Sequence, residues 1–115
     1  MPHFLLHTTK DTISPEKEEA FLQAIHEEAV ASQLFAEQDI KVRIERFEKS
    51  MVGGKVNQPF VHVFGYIMQG RTTEKKAALS KGIVSKLNQM LPDVPSIAMN
   101  VSDFEAATYC NKAKL

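Results

Sequence analysis

Pro2-His3-Phe4-Leu5-Leu6-His7-Thr8 is the stretch on which the fold turns. It is short, apolar and followed by polar turn residues, the pattern of a buried strand. Proline has no N–H to give to a ladder and is tolerated in a strand when it stands first, as Pro2 does here. His3 and His7 recur at even spacing and so share one face of that strand. Two histidines do not make a metal site without further ligands, so packing in a core or an interface is the expectation for both.

Beyond this strand the period changes. Ser14-Pro15-Glu16 is a helix start: serine caps, proline suits the first helical position, and the acid favours the positive dipole end. Phe21, Ile25 and Ala29 recur every four residues beside Leu22 and Val30, opposite Glu19, Gln23 and Glu27, which predicts a helix from about Pro15 to Leu34. Ile40 to Phe47 alternates, with Ile40, Val42 and Ile44 on one side and Lys41, Arg43 and Glu45 on the other, a strand with one charged face. Met51-Val52-Gly53-Gly54-Lys55 supplies a turn, Pro59 to Met68 is a second apolar strand, and the two are expected to pair as a hairpin.

Gln69-Gly70-Arg71 ends that strand, and Thr72-Thr73-Glu74 opens a second helix with hydroxyl caps and an early acid. Leu79, Ile83, Leu87 and Leu91 form its stripe, Lys75, Lys81 and Lys86 face solvent, and Gly82 is expected to allow close packing onto a sheet. Pro92 and Pro95 stop the helix, and Ser96 to Val101 is a last core strand. The order is β-α-β twice over. Pro2 corresponds to Pro59, the helix starts near Pro15 and Thr73 correspond, and Ile40 corresponds to Ile97, so one supersecondary unit is repeated at a nearly constant offset.

The 115 residues, 43% of them hydrophobic, suit one domain spanning residues 1–115. A domain this small leaves apolar surface that oligomerisation covers. Lys plus Arg equal Asp plus Glu at 14 each, which provides no net positive field for nucleic acid or anionic membranes. The apolar runs are strand-sized and no signal-peptide pattern opens the chain, so a soluble, cytoplasmic protein is expected. Cys110 is the one cysteine and has no activating neighbour in the sequence.

Two folds share this string of elements: the ferredoxin-like plait and a fold in which each βαβ unit contributes a parallel pair to one sheet. The beginning of the chain discriminates. Met1-Pro2-His3-Phe4, Pro59-Phe60-Val61-His62-Val63 and Gly70-Arg71 directly before a helix together resemble the 5-carboxymethyl-2-hydroxymuconate isomerase family of the tautomerase superfamily, over nearly the whole chain. The resemblance implies an α+β tautomerase fold, two βαβ units forming a four-stranded mixed sheet with two helices on one face. It also implies a homotrimer with three sheets around the axis, and ketonisation of an unsaturated 2-hydroxy polycarboxylate in homoprotocatechuate degradation without metal or organic cofactor.

By the same resemblance Pro2 is the catalytic residue. Once Met1 is removed its nitrogen is a secondary amine; behind Met1 it is an amide and no base. An α-amine titrates near 8, and burial or neighbouring cations, here Lys41, Arg43 or Arg71, bring it towards neutrality. Arg71 stands between a strand end and a helix start, where an anion is already favoured, and the family uses an arginine there to hold substrate carboxylate. The family's second substrate-binding arginine corresponds to Lys41, which keeps the charge and loses the planar fork. Arg43 shares its face and is equally suited to a surface pair with Glu45. His62 is expected to be a hydrogen-bonded structural residue, His26 to be solvated, and Tyr109 in the tail to be a pocket residue. Two other functions fit the elements: a ferredoxin-like module binding a small ligand, and a tautomerase-fold protein without this activity.

Overall fold

The computed structural model describes residues 1–115. Its elements are β1 (His3–Thr9), α1 (Glu18–Ala31), β2 (Lys41–Phe47), the two-residue strands β3 (Met51–Val52) and β4 (Lys55–Val56), β5 (Val61–Met68), α2 (Thr73–Met90) and β6 (Ile97–Phe104). The four long strands form one mixed sheet in the order β2-β1-β5-β6. β1 and β2 are parallel, as are β5 and β6, and β1 joins the two pairs antiparallel to β5. Each βαβ unit therefore keeps its two strands adjacent. A plait would split them, so the topology selects the tautomerase fold.

Strand alternation sorts the side chains. Phe4, Leu6, Val61 and Val63 point to the helices and are buried against Phe21, Ile25 and Ala29 of α1 and Leu79, Ile83 and Leu87 of α2. Both predicted stripes thus face the core, except that Val30 of the first is exposed and Leu91 of the second lies just past the end of α2. The other sheet face carries His3, Leu5, His7, Phe64, Tyr66, Lys41 and Arg43, none of them buried.

The expected hairpin between the charged strand and the second apolar strand does not form, because β1 lies between them. The Gly53-Gly54 turn instead joins β3 to β4, a small ribbon outside the main sheet. The reason is register: β2 returns from α1 parallel to β1, so β5 takes the free edge of β1. Gly82 faces α1 and not the sheet. A Cβ there would lie 3.0 Å from the Glu28 carboxylate oxygen, so the glycine lets the helices approach each other.

Helix ends also differ from expectation in ways that local bonding explains. Pro15–Lys17 forms a 3-10 turn before α1, and Ser14 makes no side-chain capping bond. α1 stops at Ala31, short of Leu34, because the Ser32 hydroxyl donates to the Ala29 carbonyl at 2.6 Å and Gln33 turns to φ 60°. Thr72 does cap α2, accepting from the Lys75 N–H at 3.2 Å. β6 runs on to Phe104 and is a half-exposed edge strand. Neither helix is long and apolar enough to cross a membrane.

Candidate active site

The antiparallel pairing of β1 with β5 determines what surrounds Pro2. His3 lies opposite Tyr66, so the start of β1 adjoins the end of β5 and the loop that leads into α2. Gly70, at φ 117°, takes a conformation that side chains disfavour and turns the chain there. Arg71 follows it. A cavity of about 140 Å³ forms at this end of the sheet, lined by Met1, Pro2, Phe35, Asp39, Met68 and Arg71 among others. A larger hollow, about 400 Å³, opens between the helices, but the smaller one is where Pro2 and Arg71 meet.

Pro2 is fully buried, and its carbonyl accepts from the Lys41 N–H at 3.1 Å, which ties the start of β1 to β2. Arg71 is held by backbone. Its guanidinium donates to the Met68 carbonyl at 3.1 Å and the Leu34 carbonyl at 2.7 Å, and it lies 5.3 Å from the centre of the Phe35 ring. No carboxylate of the chain pairs with it. Two of its five N–H groups are used on carbonyls, so three donors and the full charge remain for an anion.

With Met1 in place, the amine of the chain belongs to Met1 and lies 3.7 Å from the Asp39 carboxylate. Burial holds this amine below its ordinary value of 8.0; Asp39 opposes that change, while Lys41 and Arg71 reinforce it. The cavity end of the sheet therefore favours the neutral form of the amine that heads the chain, with Asp39 acting in the opposite sense. Asp39 was not singled out in the sequence. It ends the 3-10 turn Glu37–Asp39, and nothing in local spacing signals that this turn reaches the start of the chain.

Lys41 and Arg43 share the open sheet face, as their spacing predicts, but do different things. The Lys41 ammonium donates to the Asp39 carbonyl at 2.8 Å, close to the cavity. Arg43 turns to His3, its Nη1 lying 3.1 Å from His3 Nδ1, and forms no pair with Glu45. Burial, then the Arg43 charge, then Lys41 hold His3 below its ordinary value of 6.5, which favours the neutral ring that accepts from Arg43. The structure thus brings Arg71 and Lys41 to Pro2 and places Arg43 beside His3 on the adjoining face.

The remaining histidines are structural by contact. His62 is 2.6 Å from the Asn100 side-chain oxygen and packs on Phe64, and His7 lies between Phe47 and Phe64. His26, expected to be solvated, instead bonds to Glu37 at 2.8 Å across the gap between α1 and the next turn. Tyr109 does not line the cavity; it stacks on Phe104, which stacks on Tyr66, and carries Lys114 over its ring. Cys110 is exposed.

A family model described as 5-carboxymethyl-2-hydroxymuconate isomerase matches residues 2–111. No curated protein sequence matches. Among solved structures the chain is similar to Pt0534 inactivated by 2-oxo-3-pentynoate, with TM-score 0.87 and 17% identity, covering 98% of this chain and 94% of that one. It is similar to W0, a fused 4-OT wild-type symmetric trimer, with TM-score 0.85, 22% identity and coverage of 98% and 95%. A third is N1, a member of the cis-3-chloroacrylic acid dehalogenase family, with TM-score 0.82, 16% identity and coverage of 98% and 82%. At these identities the structural likeness bears on fold.

Proposed function

Because the chain belongs to the 5-carboxymethyl-2-hydroxymuconate isomerase family of the tautomerase superfamily, we propose that it ketonises 5-carboxymethyl-2-hydroxymuconate or a close unsaturated 2-hydroxy polycarboxylate, using Pro2 as the acid-base group. The observation that carries this is the meeting of Pro2 and a carboxylate-free Arg71 in one cavity.

Met1 is removed before the reaction, and the Pro2 nitrogen becomes a secondary amine at the cavity. Arg71, already aimed by two backbone carbonyls, takes a substrate carboxylate without first losing rotamer freedom. Lys41 supplies a second charge and Arg43 a third from the adjoining face. The amine takes the proton of the 2-hydroxyl, the C2–O bond becomes a carbonyl as the double bonds shift, and the ammonium returns the proton to carbon at the far end of the conjugated system. The sum is an isomerisation. A neighbouring cation draws electron density along that system and stabilises the intermediate enolate.

The same family membership supports a cytoplasmic homotrimer, one domain per chain, acting in homoprotocatechuate degradation, with the open sheet face of His3, Leu5, His7, Phe64 and Tyr66 covered by neighbouring copies. Sedimentation equilibrium tests that assembly directly. For the chemistry, the test is an ultraviolet assay of enol loss with protein whose intact mass shows Met1 gone. Rapid conversion is expected, and failure on several such enols by correctly processed trimer would discard the isomerase assignment.

A further inference from the structure

We propose that Asp39 is a positioning residue for Pro2, its carboxylate holding the processed amine as an ammonium ion between proton transfers and aiming that proton into the cavity. The inference rests on the assignment of Pro2 as the acid-base group, and geometry supports it from three sides.

First, Asp39 lines the same cavity as Pro2 and Arg71, and its Oδ2 is 3.7 Å from the amine that now heads the chain. Removal of Met1 makes the Pro2 nitrogen the terminal amine, and Pro2 lines the same cavity as Asp39. Second, the amine is the one ion-pair partner Asp39 has. Lys41 approaches the same residue but spends its contact on the Asp39 backbone carbonyl. Third, the other charges nearby do not compete for the carboxylate: Arg71 is anchored to Leu34 and Met68, and Glu37 of the same turn is taken by His26.

The chemical consequence concerns balance. Around the Met1 amine that heads the chain, burial, Lys41 and Arg71 all favour the neutral form, which is the form that acts as a base. A secondary amine in a catalytic cycle must also be an acid, and Asp39 is the cavity group that favours that form. The carboxylate further repels a substrate carboxylate from its own wall, leaving the Arg71 wall as the place for it. Because its side chain is 54% exposed, the effect is that of a screened charge and not of a buried pair.

The experiment compares processed wild-type protein with Asp39→Asn and Asp39→Glu. The Pro2 nitrogen is followed by 15N NMR against pH after labelling with 15N-proline, and the pH profile of kcat/KM is measured alongside. Removing an opposite charge disfavours the ammonium, so in D39N the Pro2 nitrogen loses its proton at lower pH. The acid limb of the profile then moves the same way, with kcat/KM on that limb rising by about threefold, and D39E restores the wild-type curve. Asp39→Ser is a second charge-removing variant should D39N be poorly folded. An unchanged Pro2 titration in D39N or D39S overturns the inference even if ketonisation is fast. A shifted titration in protein that ketonises nothing sustains the inference and sinks the isomerase assignment alone.

Discussion

Two arginines occupy opposite ends of the sheet, and each donates to two backbone carbonyls. Arg46, near the end of β2, donates to the carbonyls of Lys10 and Ile13 and also to the Glu18 carboxylate at 2.9 Å. Beside it the buried Thr8 and Thr9 hydroxyls donate to the carbonyls of Phe60 and Gln58, and the Phe60 N–H donates back to Thr9. Arg46 and both threonine hydroxyls at that end are thus engaged. Arg71, at the other end, has the same backbone anchors but no acid, and it faces a cavity. Pro59, the counterpart of Pro2 in the repeat, is an internal amide that no processing can make basic. One supersecondary unit used twice has thus yielded a closed end that holds the fold and an open end with unspent charge.

The strongest break of that contrast is Pro2→Ala in protein with Met1 removed. Its kcat should fall by about a hundredfold or more while the urea midpoint hardly moves. Arg71→Met comes next: kcat/KM should fall by about thirtyfold, chiefly through KM, as expected for a lost charged hydrogen bond to carboxylate. Arg46→Met should do the reverse, lowering unfolding free energy by about 2 kcal/mol in urea and leaving KM unchanged, because two carbonyls and a carboxylate lose their donor. Thr8→Val should cost about 1 kcal/mol by the same measurement, since its hydroxyl is fully buried and bonds at 2.9 Å. The smallest effect is one of pH. His3 is held below 6.5 in the folded chain, so the unfolded chain binds its proton first as pH falls, and stability present above 6.5 is lost progressively below it. Urea titrations at several pH values read this slope, and Arg43→Met should flatten part of it. A slope unaltered in that variant would mean that burial and the other nearby charges act on His3 without Arg43.

How much of this was legible in the sequence follows from how local each feature is. The stripe of Leu79, Ile83 and Leu87, the Thr72 cap and the alternation in β1, β2 and β5 depend on neighbours within a turn or a strand, and all are found as expected. The hairpin failed because pairing is chosen among strands distant in sequence, and the Gly53-Gly54 turn is consistent with either outcome. Gly82 was assigned to the wrong neighbour for a similar reason: a small residue announces close approach without saying to what. At the site, Pro2 and Arg71 carried family motifs and could be named. Asp39, Phe35 and Met68 could not, since the first two enter the cavity from the connection between α1 and β2, the third from the end of β5, and none has a motif.

The anchoring of Arg71 bears on how freely this protein can change over generations. Its two supports are the carbonyls of Leu34 and Met68, and every amino acid offers a carbonyl. Substitutions at 34 and 68 can therefore accumulate without moving the guanidinium, provided the backbone path persists. The side-chain partners of Arg46 enjoy no such latitude, since Glu18 has to remain an acid for its bond to survive. A charge whose hydrogen bonds all go to main chain is less exposed to drift in its surroundings, so lineages can reshape the cavity wall while the guanidinium stays put.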